Sequence, residues 1–227
     1  MVEEEEDDEV CKVVLLGESG VGKTCIISRF INNTYEEGLM SSNGASYASK
    51  SVTFPEYGNK TIKLEIWDTA SQEKYRSLNQ IFYKDASICI LVYDVSNNDS
   101  FKAIQEYWFQ QVKDSAPKNI VLGLAGNKCD LDQEKVSEEE ARNLAKEMNA
   151  IFELTSASKN IGIDHFFHNL GCKYIDPNFK TNEDTDTNEV KQKPDKDNKK
   201  EKNSNKKLKL DEKKLKQNNN GKKKGCC

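Results

Sequence analysis

No apolar segment follows Met1, and no run in the 227 residues approaches the ~18–20 apolar residues of a membrane-spanning helix. A secretory leader and a transmembrane anchor are therefore not expected, and the protein should be made in the cytosol and face it. The seven cysteines form neither a disulfide framework nor a set with metal-ligand spacing. Five of them, Cys11, Cys25, Cys89, Cys129 and Cys172, stand singly, mostly beside apolar runs, and read as buried free thiols of a reducing compartment. Histidine is scarce too: His165 and His168 are accompanied by no recognised metal-ligand motif and read as packing or surface residues. Internal repeats are absent.

Charge is plentiful but unevenly placed. The chain is 36% hydrophobic and 32% charged, so part of it is expected not to fold. From Lys191 to Lys224 there are 15 lysines against 5 acidic residues, which leaves about −14 for the remainder of a chain whose total is −4. The acidic start, Glu3 to Glu9, holds seven of those charges. Such a split points to tails with separate jobs. Three regions follow: an acidic disordered lead over residues 1–9, a folded domain over 10–176, and a disordered Lys/Asn-rich tail over 177–227.

Within the folded region, the chemistry starts at Gly17-Glu18-Ser19-Gly20-Val21-Gly22-Lys23-Thr24, which fits the phosphate-binding pattern Gly-x-x-x-x-Gly-Lys-Ser/Thr. The apolar run Val13–Leu16 leads in, and a helical segment over Lys23–Asn32 leads out. That strand–loop–helix context is what the motif requires. The glycines turn the backbone so that successive N–H groups form a nest for phosphate oxygens, and the helix adds its unpaired N–H groups and dipole. Lys23 supplies a point charge for the β- and γ-phosphates, and the Thr24 hydroxyl can ligate Mg²⁺.

Downstream, strands are expected near Val10–Leu16, Ser49–Phe54, Thr61–Trp67, Ser87–Tyr93, Ile120–Ala125 and Ile151–Leu154. Gly58-Asn59 reads as a hairpin turn, Thr34–Tyr47 as a mobile loop, and Asp68–Asp85 as a loop that becomes an irregular helix. Helices are expected at Asp99–Asp114, with Phe101, Ile104, Tyr107, Trp108 and Val112 on one stripe, at Ser137–Asn149 behind a capping box, and at Gly162–Tyr174. Strand and helix alternate, which argues a doubly wound α/β sheet.

A phosphate loop alone does not select a base. Asn127-Lys128-Cys129-Asp130 does, because it follows a buried strand and so sits at the carboxyl edge of the sheet. The Asp130 carboxylate can accept from guanine N1–H and N2–H₂, a donor pair that adenine lacks. Asn127 can support the base edge and brace the phosphate loop, and the Lys128 stem can cover the ring face. Thr155-Ser156-Ala157-Ser158 follows the last strand and offers N–H groups to the guanine O6. In Trp67-Asp68-Thr69-Ala70-Ser71-Gln72-Glu73, Asp68 can hold a Mg²⁺ water and Gln72 can orient an attacking water.

With these motifs assembled, the chain resembles the Rab branch of Ras-like small GTPases over about Cys11–Tyr174. Lys63–Ala70, Gln72–Leu78, Phe82–Ala86, Leu91–Val95 and the terminal Gly225-Cys226-Cys227 match at branch level, nearest the early-endosomal group. The resemblance implies a P-loop NTPase fold, a Ras-like G domain whose six-stranded, mostly parallel sheet is flanked by five helices. It implies GTP with Mg²⁺ and two switch segments, Thr34–Tyr47 and Asp68–Phe82. The nucleotide set it implies is Glu18, Ser19, Gly20, Val21, Gly22, Lys23, Thr24, Cys25, Ser42, Asp68, Ser71, Asn127, Lys128, Asp130, Leu131, Ser156, Ala157 and Ser158. Thr24, Ser42 and Asp68 would serve the metal; Gln72 and Lys23 would serve hydrolysis. Three positions depart from the family: Ser42 stands where Thr is usual, Ser71 where Gly is usual, and Ser158 where Lys is usual. The Cβ of Ser71 restricts a backbone that must swing, so slower switching or hydrolysis is expected.

A C-a-a-X signal would need Cys at position 224, which is Lys. The resemblance implies geranylgeranylation of Cys226 and Cys227 instead, with prenylation and extraction chaperones as partners alongside effectors, an exchange factor and a GTPase-activating protein. Two lipid chains anchor stably where one does not, and Lys222–Lys224 would add attraction to anionic leaflets. Some 45 disordered residues would span about 35–40 Å, enough to stand the domain off a bilayer. The lysine run also admits a merely solvated tail or a nucleic-acid patch, but no aromatic residues interleave it for base stacking, and no nucleic-acid partner is expected. The expected activity is a GTP-hydrolysing switch for vesicle transport on the cytosolic face of an endomembrane, an endosome by the resemblance, with a soluble pool. A GTP-loaded scaffold with negligible turnover and a P-loop nucleotide kinase are the competing readings. Trp67 and Tyr83 are open between an effector patch and core packing.

Overall fold

The computed structural model describes residues 9–36, 46–69 and 84–181. Strand β1 (Glu9–Leu16) is followed by helix α1 (Lys23–Asn32), and strands β2 (Ser46–Phe54) and β3 (Lys60–Asp68) form a hairpin. Then come β4 (Ile88–Asp94), a long helix α2 over 98–115, β5 (Val121–Asn127), α3 (Glu138–Met148), β6 (Ile151–Thr155) and α4 (Ile163–Ile175). The six strands form one sheet in the order β2-β3-β1-β4-β5-β6. Only the β2–β3 pair is antiparallel. The strand order reverses between β1, which neighbours β3, and β4, so the crevice at the carboxyl ends of β1 and β4 is the place where such sheets bind ligands.

The central strands are covered on both faces, as their unbroken apolar runs require. Alternate residues serve different cores. Val13, Leu15, Ile62, Leu64, Ile66, Ile90 and Val92 face α1 and α4, where Phe30 stacks on Phe167 with ring centroids 3.8 Å apart. Val14, Leu16, Cys89, Leu91 and Tyr93 face α2 and α3, against Phe101, Ile104, Trp108 and Leu144. The period-2 pattern of β3 holds: Ile62, Leu64 and Ile66 are buried while Lys63 and Glu65 are half-buried.

Several local features differ from expectation. Strand β2 begins at Ser46, three residues earlier than its composition suggests, because Ser46–Ala48 pair with Ile66–Asp68. The hairpin connection includes a 3₁₀ turn over Pro55–Tyr57 before Gly58 and Asn59, both with positive φ. Helix α2 winds as a π-helix from Ile104 to Trp108 between α-helical ends. Asn149 leaves α3 as a left-handed cap, and the Ser137–Glu140 capping box is present in both directions. Cys25 and Cys129 are half-buried, whereas Cys11, Cys89 and Cys172 are buried. Four helices lie among the described residues; the fifth, expected between Asp68 and Asp85, falls outside them. Among the described residues no helix is long and apolar enough to cross a membrane.

Candidate functional site

The phosphate loop joins the carboxyl end of β1 to the amino end of α1. Its glycines are there for close approach. A Cβ on Gly17 would collide with the Val92 carbonyl, and one on Gly22 with the Asn127 amide nitrogen; both residues also hold positive φ. Gly22 is the N-cap of α1 and has no side chain to satisfy the first helical N–H groups, so these stay directed into the loop. Ile26 N–H closes the first turn onto the Gly22 carbonyl at 2.9 Å.

Lys23 is 4% exposed, and its Nζ donates to the carbonyls of Gly17 at 2.9 Å and Glu18 at 3.0 Å. Burial pushes its ammonium down to about 8, against an opposing pull from Asp68 and Glu18. With a lowered folded value, the folded loop binds fewer protons than the unfolded chain between about pH 8 and the ordinary lysine value of 10.5, so nucleotide-free stability rises with pH across that window. A triphosphate held beside Lys23 would reverse the shift, so GTP binding at pH 9 should take up most of one proton, and at pH 7 little. Calorimetry in two buffers of different ionisation enthalpy reads this. The excess uptake should vanish in Lys23→Arg, and equal uptake in both proteins would discard Lys23 as its source.

Thr24 Oγ1 donates to Asp68 Oδ2 at 2.5 Å, which brings the first residue turn of α1 to the end of β3. A hydroxyl beside a carboxylate oxygen is the hard-oxygen donor set that suits Mg²⁺, so these residues fit the ion. Thr69 Oγ1 holds the same strand end by donating to the Leu15 carbonyl at 2.7 Å. Trp108 Nε1 donates to Glu18 Oε1 at 3.0 Å, linking the π-wound part of α2 to the phosphate loop.

The Asn127–Asp130 segment stands beside it. Asn127 is buried at the end of β5; its Nδ2 donates to the Val21 carbonyl at 2.8 Å, and its Oδ1 accepts from Thr155 Oγ1 at 3.3 Å. Lys128 has φ 66 and pairs its ammonium with Asp94 Oδ2 at 2.6 Å, which aligns its stem along the site. Burial pushes the Asp94 carboxyl up, but Lys128 and Ser96 outweigh it and hold the group below the usual carboxylate range. Asp130 behaves alike: burial raises it, and hydrogen bonds from Ser156 and Ser158 bring it down below its ordinary value. Ser156 Oγ donates to Asp130 Oδ1 at 2.6 Å and Ser158 Oγ to Oδ2 at 2.8 Å. Each carboxylate oxygen thus accepts one serine hydrogen bond and keeps a second lone pair. Arg29 pins this loop to α1, donating to the carbonyls of Ala157 at 2.8 Å and Ser158 at 3.3 Å.

The structure therefore gathers Glu18–Cys25, Asp68, Asn127, Lys128, Asp130, Leu131 and Ser156–Ser158 around the carboxyl ends of β1, β3, β5 and β6. Ser42, Ser71, Gln72, Tyr83, Cys226 and Cys227 lie outside the described residues. Trp67 is half-buried against the second core cluster, with exposed Tyr47 edge-on at 5.3 Å. The sequence does not mark Asp94, Arg29, Thr69 or Trp108 as parts of this site. Asp94 carried a usable signal, since it ends a buried strand just as Asn127 does; the other three owe their roles to contacts with remote segments.

The family model "Ras family" matches residues 12–176. Human "Ras-related protein Rab-22A" is 39% identical over 157 residues, covering 69% of this chain and 79% of that protein. Human "Ras-related protein Rab-31" is 37% identical over 177 residues, covering 77% and 89%. "Ras-related protein RHN1" of Nicotiana plumbaginifolia is 39% identical over 160 residues, covering 70% and 78%.

Proposed function

This chain belongs to the Rab branch of the Ras family of small GTPases, and from that premise we propose how its own residues run the cycle and where it acts. As a Rab-type GTPase it binds GTP and GDP, hydrolyses GTP, regulates membrane trafficking, and works through effectors and regulators. In our reading, Asp130 reads the guanine edge, with Ser156 and Ser158 holding its carboxylate ionised and oriented. Main-chain N–H groups of Ser156–Ser158 take the O6. Lys23 and the N–H nest of Glu18–Cys25 hold the β- and γ-phosphates. Thr24, Asp68 and Ser42 hold Mg²⁺, which neutralises charge on those phosphates when bound. Gln72 orients the attacking water.

The observation that carries this reading is the Asn127 bridge. One buried side chain ties the segment that would read the base to the Val21 carbonyl of the loop that would hold the phosphates. At the other end of the sequence, Cys226 and Cys227 would carry prenyl chains delivered and extracted by chaperones. They would set the domain on the cytosolic face of an endosomal membrane, through the tail over 177–227, with a soluble pool in exchange.

The second reading, a GTP-loaded scaffold with negligible hydrolysis, rests on Ser71 beside an intact Gln72. Single-turnover γ-phosphate release from the purified protein, with its bound nucleotide identified, separates the two. Slow but measurable release is expected for the wild type, with Ser71→Gly several-fold faster because glycine frees the backbone that must swing. An unchanged rate in Ser71→Gly would remove Ser71 as a brake.

A further inference from the structure

A second cluster of chemically capable side chains lies at the opposite end of the sheet. The β2–β3 turn stands at the amino end of β3, away from the phosphate loop, and the later turns of α4 reach the same end. There His168 Nε2 lies 2.6 Å from Glu56 Oε1, and Cys172 Sγ–H donates to that same oxygen at 3.0 Å. The three ligand atoms lie within 4.8 Å of one another. His168 and Cys172 are four residues apart on α4, so they share a face one turn apart. Phe54 stacks on the His168 ring with centroids 5.2 Å apart, which fixes the ring plane. Cys172 is 1% exposed, while the Glu56 and His168 side chains are 42% and 36% exposed, so the thiol forms the floor of a site whose rim meets solvent. No step of the GTPase cycle uses these residues.

We propose that Glu56, His168 and Cys172 bind a zinc-type transition-metal dication, with water as fourth ligand, clamping α4 to the β2–β3 turn. The donor set selects the metal class. An imidazole nitrogen and a thiolate suit Zn²⁺ and its neighbours, whereas Mg²⁺ and Ca²⁺ take oxygen. Zinc bond lengths place tetrahedral ligand atoms roughly 3.3–3.6 Å apart. From 2.6 and 3.0 Å, the Glu56 contacts need open by less than about 1 Å, within reach of a glutamate on a short turn. Binding releases the Cys172 thiol proton to solvent; thiolate and carboxylate then neutralise the dication, and the imidazole stays neutral. The inference is independent of the nucleotide reading.

The test uses the full chain with Cys226 and Cys227 replaced by Ser, saturated with GDP and excess Mg²⁺. Cobalt(II) titration should give a thiolate-to-metal charge-transfer band in the near ultraviolet, tetrahedral d–d bands in the red, one-to-one stoichiometry, and displacement by Zn²⁺. Cobalt at the oxygen-lined nucleotide site would give no thiolate band. Cys172→Ser should abolish the band, and Cys129→Ser should keep it. His168→Gln and Glu56→Gln should each weaken Zn²⁺ binding by more than about tenfold. No band, or a band that survives Cys172→Ser, overturns the proposal. Should Cys172→Ser not fold, undiminished affinity in His168→Gln overturns it instead.

Discussion

Asp130→Asn is expected to lower GTP affinity by about 10²–10⁴-fold, because both guanine donors lose a charged acceptor, at ~1.5–3 kcal/mol each. The carboxylate accepts one serine hydroxyl on each oxygen, 2.6 Å from Ser156 and 2.8 Å from Ser158. That leaves one lone pair per oxygen for two parallel guanine donors. An asparagine in the same place turns a donor toward one of those guanine N–H groups, so it removes one attraction and adds one repulsion. The serine hydroxyls can rotate to meet an amide, so the loop keeps its shape and the fold should be nearly unchanged. Affinity for a base bearing a carbonyl where guanine has its N2 amino group should rise in the same variant. Competition against a fluorescent guanine nucleotide measures both. Wild-type affinity for GTP in Asp130→Asn would mean the base is read elsewhere.

How far the sequence announces such a site depends on how local its parts are. The phosphate loop is legible because strand, turn and helix are contiguous; α1 has the expected bounds, Lys23–Asn32. Buried strands are legible because they are apolar on both faces, and β4 is buried throughout. The early start of β2 is hidden, since Ser46, Tyr47 and Ala48 become a strand only by pairing with β3. So is the π-winding of α2: Phe101, Ile104, Trp108 and Val112 would make one apolar stripe under either winding, and all four are buried. The role of Ser158 is a third case. As a replacement for lysine it reads as a mild change, yet its hydroxyl completes the Asp130 clamp. Glu56 and His168, 112 positions apart, meet only because α4 returns to the hairpin end of the sheet, which no local pattern encodes.

Gly22→Ala should be strongly damaging, for two separable reasons. The first is backbone: Gly22 sits at φ 99, ψ 25, where a Cβ imposes about 1–2 kcal/mol of strain. The second is steric: the new methyl carbon would lie only 2.3 Å from Asn127 Nδ2. That nitrogen cannot withdraw without giving up its hydrogen bond to the Val21 carbonyl at 2.8 Å and disturbing the Thr155 contact at 3.3 Å. The combined loss should reach about 3 kcal/mol in stability and roughly 10²-fold in GTP affinity. Asn127→Ala alone loses the same hydrogen bonds, about 2 kcal/mol, but leaves the backbone relaxed. In the double variant the collision no longer exists, so adding Gly22→Ala to Asn127→Ala should incur only the backbone term. The two changes should therefore fall short of additivity by about 1 kcal/mol or more, where independent sites would add within ~0.3–0.5 kcal/mol. Denaturant unfolding and GTP dissociation rates for the four proteins of this cycle give the coupling twice. Additive behaviour in both would dismiss the Gly22–Asn127 contact as the link between phosphate loop and base-reading edge, leaving backbone strain as the whole effect.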